Sequence, residues 1–309
     1  MKYFDLHADT AYEIKKQGAS LSENTLNIDI KKLSYLENYA QIMAIWSDEE
    51  LTDEDSYIQF KEIADNLRNE LSKDGYSLST DFQKLKDSLD TKSKAFMLGI
   101  EDARLLCGKI ERLREIYENG VRFLTLTWAG ATCVGGSHDT DVGLTDFGKE
   151  LVSSSFELGI IPDISHASKE SANDALDIAE KYACPIIATH SNSFSVFSHR
   201  RNLRDEHFRR ISTLGGVVGV SLCSPHLSDE EKRQSDISDV LRHIEHYLSI
   251  GGEDSLCIGA DLDGAPLPQG FSDVRDIEKI NTELDKRFGN EITEKIMWSN
   301  AFNFIKRNF

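Results

Sequence analysis

Short apolar runs alternate with longer amphipathic stretches along the whole of this chain. Most of the runs are continuously apolar, as is typical of parallel strands that are buried on both faces. We predict strands near residues 2–8, 39–46, 94–100, 121–127, 160–165, 185–189, 216–222 and 255–261. Eight strand-helix units favour a closed (β/α)8 TIM-type barrel with its active site at the carboxyl ends of the strands, and an open doubly wound sheet is the alternative.

The stretches between the strands carry apolar residues at helical spacing. In one of them Thr145 is placed as an N-cap and Gly159 marks the end of the helix. We predict helices near residues 57–73, 108–119, 144–159, 168–182, 203–213, 232–250, 273–288 and 290–307. The chain is therefore predicted to be one barrel domain over 1–309, with a helical or lid insertion around 47–93 and C-terminal helices over 273–309.

Composition narrows the class of protein. With 309 residues, 39% of them apolar and 28% charged, the chain can bury a full core. A formal net charge of -18 argues against nucleic acid or an anionic membrane as a partner, because both require clustered cations. No apolar run reaches the roughly 18 residues of a membrane span, and the N-terminus enters a strand without a basic leader. We expect a cytoplasmic protein.

The cysteines are Cys107, Cys133, Cys184, Cys223 and Cys257. They are odd in number, widely separated and form no C-x-x-C pair. Free thiols therefore fit better than a disulfide framework or a structural zinc site.

Residues of types that can bind metal ions stand at the ends of several predicted strands. They are His7, Asp9, Glu101, His166, His190 and Asp261. Because the carboxyl ends of parallel strands meet at one mouth, we expect these side chains to converge. His7 and Asp9 are two apart on an extended segment and point to the same side. Imidazole and carboxylate together suit zinc, with manganese or cobalt as alternatives.

Glu101 and Asp261 suggest two further roles. A carboxylate has two oxygens, so Glu101 can bridge two ions that lie roughly 3.5–4 Å apart. Asp261 can accept a proton from metal-bound water and deliver it to a leaving amine. Asp263 is the competing carboxylate, but it points further out. For each residue alone, capping of the following helix is the structural alternative.

Two arginines, Arg200 and Arg201, follow the His190 strand. An arginine near the mouth can bind a carboxylate through two parallel hydrogen bonds, which would suit a substrate with a free C-terminus. The alternative is a solvated helix start. The other histidines are interpreted as surface or structural residues, with His138 and His199 as the leading exceptions.

The motifs DLHADT, GIEDA, RFLTLTWA, IPDISHAS, IIATHSNS, SHRRNL and IGADLDG follow one another in this order. The series resembles the membrane (renal-type) dipeptidase family, peptidase family M19 of the amidohydrolase superfamily, over nearly the whole chain. The resemblance implies a β/α barrel with two zinc ions that hydrolyses dipeptides with an L- or D-residue at the C-terminal position. A metal-bridging hydroxide would attack the peptide bond, and a homodimer is compatible with what is common among relatives.

The resemblance also implies a metal ligand set. His7 and Asp9 would bind the first zinc ion, and His166 and His190 would bind the second. Glu101 would bridge the two ions.

Three further residues receive roles in the same way. Asp261 matches the catalytic aspartate, and Arg201 matches the arginine that holds the substrate carboxylate. Trp128 stands where animal members carry a histidine that contacts the scissile carbonyl, so that substrate contact is either made differently or weakened. The segment 216–227 also lacks the tyrosine that animal members place there.

Other functions remain open at this stage. A lactonase, a deaminase or an N-acyl-amino-acid hydrolase would use a similar site, because one fold supports many reactions. Many amidohydrolases, however, use H-x-H and a carboxylated lysine, whereas this chain offers H-x-D and a glutamate. A non-catalytic binding protein is favoured only by Trp128.

Overall fold

A computed structural model describes residues 1–106, 108–229 and 234–309. Seven parallel strands form one curled sheet in this part of the chain. They are β1 (Lys2–Ala8), β2 (Asn38–Ile45), β3 (Lys94–Glu101), β4 (Val121–Thr125), β5 (Ile161–Asp163), β6 (Val218–Val220) and β7 (Leu256–Ile258). Their order across the sheet is β5-β4-β3-β2-β1-β7-β6, which confirms the predicted α/β class with a parallel sheet.

The predicted strand 185–189 does not form a regular strand. Ile187 makes an isolated parallel bridge with Asp163, and Ala188 makes one with Val218. The segment thus lies between the two edge strands, β5 and β6, with few ladder hydrogen bonds. Pro185 begins the segment and has no N–H to donate, which limits its pairing. The closed eight-stranded barrel therefore stays a prediction.

The described helices occupy most of the predicted positions. They are α1 (Thr10–Gln17), α2 (Asp53–Lys73), α3 (Phe82–Lys92), α4 (Glu111–Glu118), α5 (Asp146–Leu158), α6 (Lys169–Tyr182), α7 (Asp205–Thr213), α8 (Ser224–Leu227), α9 (Ile237–Ser249), α10 (Ile277–Glu294) and α11 (Asn300–Asn308). Thr145 caps α5 by accepting a hydrogen bond from the Gly148 N–H, and Gly159 ends it in the left-handed conformation. Both signals were read from the sequence.

The remaining differences are local. Gly289 interrupts the helical backbone within α10, at the predicted break between the two closing helices. The stretch 47–93 holds α2 and α3. The first residues of the predicted helix 232–250 lie outside the described residues, and so does Cys107; Cys184 and Cys257 are free thiols.

Two apolar clusters hold the sheet in place. The larger one packs the helices on the sheet, and the smaller one takes side chains from six of the seven strands, among them Phe4, Met97 and Phe123. Side chains that come from six strands of a curled sheet and meet in one cluster lie on its concave face. Trp298 and Phe304 near the C-terminus complete this cluster, which leaves the carboxyl ends of the strands for polar residues.

No helix among the described residues combines the length and hydrophobicity that a bilayer crossing requires.

Asp163 connects three segments at the edge of the sheet through hydrogen bonds. This buried carboxylate accepts hydrogen bonds from Thr125 Oγ1 at 2.7 Å, from the Ser165 N–H at 2.8 Å, and from the N–H and hydroxyl of Thr189 at 3.0 and 2.6 Å. These donors belong to β4, to the segment after β5 and to the segment 185–189. The Asp163 side chain therefore supplies part of the hydrogen bonding that a regular strand at 185–189 would have provided.

We expect Asp163→Ala to lower the free energy of unfolding by about 2 kcal/mol or more, because several buried donors lose their acceptor. Urea unfolding followed by circular dichroism measures the change. The exposed Asp141→Ala serves as the control and should leave stability nearly unchanged. Equal stability of the Asp163→Ala variant and the unaltered chain would contradict the assigned role.

Candidate metal centre

The predicted ligands come together at the carboxyl end of the sheet. His7 and Asp9 lie at the end of β1, Glu101 is the last residue of β3, and His166 follows β5. Their donor atoms, with those of His190 and Asp261, form three overlapping groups, and within each group the atoms lie within 4.8 Å of one another. The groups are His7–Asp9–Glu101, Glu101–His166–His190 and His7–His190–Asp261. All of these side chains are buried or nearly so.

Glu101 lies between two sets of donors. Its Oε2 is 3.6 Å from His7 Nε2, which is itself 3.5 Å from Asp9 Oδ2. Its Oε1 is 2.8 Å from His166 Nε2 and 3.2 Å from His190 Nε2. Each carboxylate oxygen therefore faces a different set of donors.

Among the described residues, two donor atoms of the cluster lack a hydrogen-bond partner, and two imidazole nitrogens face each other. His7 Nε2 and Asp9 Oδ1 are buried without a hydrogen-bond partner in the described structure, although buried polar atoms are normally paired. The Nε2 atoms of His166 and His190 face each other at 2.9 Å beside the same carboxylate oxygen. Imidazole nitrogens and carboxylate oxygens are the donors that a divalent transition metal prefers. The residues present therefore fit a bound metal.

Electrostatics favour the metal-binding forms of most of these groups. Burial alone would raise the pKa of Glu101, but the charge of His7 and hydrogen bonds from His166 and His190 hold that pKa well below its usual range. Burial lowers the pKa of His166 to about 3 and also lowers the pKa of His190, and the charge of Arg201 acts in the same direction on both. A carboxylate and neutral imidazoles are the forms that bind metal.

His7 differs from the other two imidazoles. Burial lowers its pKa, yet Glu101 and Asp9 together raise it well above the usual range. His7 is therefore the imidazole from which a bound cation would have to displace a proton.

Hydrogen bonds outside the cluster orient the histidine rings. Thr189 Oγ1 lies 2.8 Å from His190 Nδ1 and 3.3 Å from His7 Nδ1, and it donates to Asp163. Asp5 accepts from the backbone N–H groups of His7 and Ala260 at 3.1 and 2.9 Å and so fixes the backbone that carries His7. Contacts such as those of Thr189 fix ring orientation in metal sites. Asp5, Asp163 and Thr189 were not among the predicted site residues; a polar residue inside an apolar strand was the available signal.

Part of the centre is held in an unusual backbone conformation. His166 and Asp261 have φ values of 68° and 62°, a region that non-glycine residues rarely adopt and that is frequent at functional sites. Gly264 passes so close to the cluster that an added Cβ would lie 2.0 Å from Asp9 Oδ2 and 2.6 Å from Asp261 Oδ1. The position therefore requires glycine.

Asp261 and Asp263, the two candidates for the catalytic carboxylate, lie in different environments. Asp261 lies in the cluster, and burial raises its pKa to about 7. Asp263 instead accepts hydrogen bonds from Thr10 Oγ1 and from the Asn27 N–H. Asp263 therefore holds local structure outside the cluster.

A cavity of about 310 Å³ opens over the cluster, and we call it the aromatic cavity. Asp9, Glu101, His166 and Asp261 line its floor. Its sides are formed by Tyr12, Glu13, Lys16, Trp46, Trp128, Cys223, His226, Asp263, Gly264, Ala265 and Pro266. His226 was interpreted from the sequence as a surface or structural residue, and nothing in its neighbourhood SPHL indicates its place at the cavity.

A second cavity, of about 190 Å³, lies beside the cluster, and we call it the cationic cavity. Four of its lining residues are Lys169, Arg200, Arg201 and Arg204, against the acidic Asp141 and Glu170. His138 also lines it, and the His138 ring lies 5.7 Å from the ring of His166, so the two cavities meet near the cluster.

The two predicted arginines differ in environment. Arg201 is buried; it donates to Ser191 Oγ at 3.1 Å and to the His190 carbonyl at 3.0 Å, and its Nε has no partner in the described structure. Arg200 is half exposed and pairs with Asp141. Arg201 therefore keeps unused donors in the cationic cavity.

The chain matches the family model described as membrane dipeptidase (peptidase family M19) over residues 1–308. It is 32% identical over 228 residues to a Klebsiella pneumoniae protein named only by its place in the pqqA 5' region, covering 70% of this chain and 83% of that protein. It is 31% identical over 224 residues to an uncharacterized dipeptidase of Schizosaccharomyces pombe, covering 69% of this chain and about half (53%) of that relative.

A solved structure shares the fold. The metallopeptidase of Rhodobacter sphaeroides, solved with a phosphinate mimic of the dipeptide L-Ala-D-Ala, superposes with a TM-score of 0.91. The match covers 100% of this chain and 99% of that chain at 21% identity.

We expect Glu101→Gln to reduce the amount of divalent metal bound per chain. A carboxylate presents a negatively charged oxygen to a metal ion on either side, whereas an amide has a single, uncharged oxygen. Metal content after dialysis against zinc, measured by plasma emission spectroscopy, tests this. Asp102→Asn is the matched control: Asp102 is the adjacent buried carboxyl, but it is hydrogen-bonded to Arg104 instead of the cluster. An unchanged metal content in Glu101→Gln would contradict the assignment.

Proposed function

Because this chain belongs to the membrane dipeptidase family, peptidase family M19, we propose that it is a binuclear zinc dipeptidase that cleaves the peptide bond of dipeptides. Family membership itself implies a metal-dependent hydrolase that acts on small peptides. The observation that carries the finer proposal is the position of Glu101, with one oxygen toward His7 and Asp9 and the other toward His166 and His190.

The ligand assignment follows from those contacts. His7 and Asp9 would hold one ion, His166 and His190 the other, and Glu101 both. Zinc suits these donors, and manganese or cobalt would also fit. Such ions, when bound, polarise a peptide carbonyl and make water more acidic. Residues 1–309 would form a single barrel domain, closed by the segment 185–189 between β5 and β6.

Asp261 is proposed to handle the proton. It would take a proton from the attacking water and pass it to the departing amine. Its position in the cluster beside His7 and His190 supports this role. Burial raises its pKa to about 7 in the metal-free cluster, so its carboxyl group is able to take up a proton there.

The two cavities would recognise the two charged ends of a dipeptide. Arg201 and the cationic cavity would bind the C-terminal carboxylate. Acidic groups in the aromatic cavity, such as Asp9 and Asp263, would attract the N-terminal ammonium. Trp128 would contact the substrate through its ring or its single N–H, since indole does not titrate. Reading both ends at once would exclude longer peptides.

We expect the zinc-loaded protein to hydrolyse L-Ala-L-Ala or L-Ala-D-Ala but not Ala-Ala-Ala. Asp261→Asn should lower kcat at least about 100-fold, because the amide cannot shuttle the proton, and chelation should abolish turnover. Amine release is the readout, and Asp285→Asn, which alters an exposed carboxylate on α10 away from both cavities, is the control. Turnover of a lactone without turnover of any dipeptide would refute the proposed function.

We expect Arg201→Lys to raise KM for dipeptides about tenfold or more, because a point-charge ammonium cannot make two parallel hydrogen bonds to a carboxylate. The same variant should lose the discrimination between a dipeptide and its C-terminal amide. Steady-state kinetics on Ala-Ala and Ala-Ala-amide measure both effects. If the unaltered protein cleaved the amide as well as the free acid, Arg201 would not be the carboxylate-binding residue.

A further inference from the structure

Three aromatic rings form a continuous side of the aromatic cavity, and we call them the aromatic wall: Tyr12, Trp46 and Trp128. The ring of Trp46 meets Tyr12 edge-on at 5.1 Å and Trp128 at 5.2 Å between centroids. Trp128 in turn lies 6.1 Å from the ring of the metal-cluster residue His166. The three rings therefore form one connected aromatic surface that reaches the metal centre.

Hydrogen bonds hold the Tyr12 end of the wall in place. The Tyr12 hydroxyl donates to Asp48, and Gln59 both donates to the Asp48 carboxylate at 2.6 Å and accepts from its N–H at 3.1 Å. A surface that is already ordered loses little entropy when a ligand binds to it. Gly264, Ala265 and Pro266 line the same cavity and leave space in front of the rings.

The position of the wall assigns it to one end of the substrate. Its residues follow β1, β2 and β4, whereas Arg201 contacts Ser191 and the His190 carbonyl, next to the segment that lies between β5 and β6. The metal cluster separates the two regions. If Arg201 holds the C-terminal carboxylate, the wall faces the side chain of the N-terminal residue.

The cation–π position on the wall is already occupied. Lys16 Nζ lies 5.0 Å from the centre of the Tyr12 ring, in the position that a lysine or arginine side chain of a substrate would seek, and Glu13 pairs with Lys16 at 3.7 Å. A cationic substrate side chain therefore does not find this position free. Phenylalanine, leucine and similar side chains do not need it and bury apolar area against the rings.

From these observations we infer that the enzyme prefers dipeptides whose first residue carries a large apolar or aromatic side chain. The inference rests on the proposed dipeptidase function and adds the substrate class to it. A pocket that accepts a large apolar group typically gains about 10-fold or more in kcat/KM over a substrate that lacks the group.

The test compares Phe-Ala, Ala-Phe, Lys-Ala and Ala-Ala, with the second residue in whichever configuration is cleaved faster. We expect kcat/KM for Phe-Ala to exceed that for Ala-Ala by about 10-fold or more, with a smaller gain for the isomer Ala-Phe and for Lys-Ala. Comparable values for Phe-Ala and Ala-Ala, or a preference for Ala-Phe, would overturn the inference and leave the dipeptidase function standing. Absence of turnover for every dipeptide would overturn both.

Variants locate the preference on the wall. Trp46→Ala should bring the ratio of Phe-Ala to Ala-Ala close to one, mainly through KM, and Trp46→Phe should retain most of the ratio. Tyr182→Ala is the control, because Tyr182 is an exposed aromatic residue at the end of α6, and its ratio should equal that of the unaltered protein. An unchanged ratio of kcat/KM in folded Trp46→Ala would overturn the assignment to the wall. If that variant fails to fold, the ratio in Trp46→Phe and the comparison of substrates in the unaltered protein still test the inference.

Discussion

The burial of one carboxylate among three imidazoles is the constraint on which the site depends. Glu101 is buried beneath the aromatic cavity, and its two oxygens face His7 on one side and His166 with His190 on the other. A charged group in such a position is costly unless other charges or metal ions compensate it. The fold provides that compensation by bringing residues that are remote in the chain to the ends of neighbouring strands.

Buried hydrogen bonds maintain this arrangement, which includes two strained backbone positions. The left-handed conformation of His166 and Asp261 is unfavourable for non-glycine residues and persists only where the surrounding structure determines it. Asp163, Thr189 and Asp5 supply that surrounding structure through fully buried hydrogen bonds. The positions of the site's side chains are therefore fixed by buried polar groups beneath the site. These polar groups lie where other parts of the core have apolar side chains.

The sequence predicted what depends on local pattern and missed what depends on three-dimensional contact. Continuous apolar runs indicated seven strands correctly, and strand ends indicated which side chains would cluster, because all parallel strands end on one side. The segment 185–189 has the same apolar pattern but begins with Pro185 and makes only single bridges. No periodicity could reveal that Asp163 would join three segments, or that Tyr12, Trp46 and Trp128 would meet as one wall.

The most direct test of the central claim is anomalous diffraction from crystals of the zinc-loaded protein, collected on both sides of the zinc edge. The account predicts two anomalous peaks, one within bonding distance of His7 and Asp9 and one within bonding distance of His166 and His190, with a Glu101 oxygen bound to each. A single peak, or two peaks of which only one contacts Glu101, would contradict it.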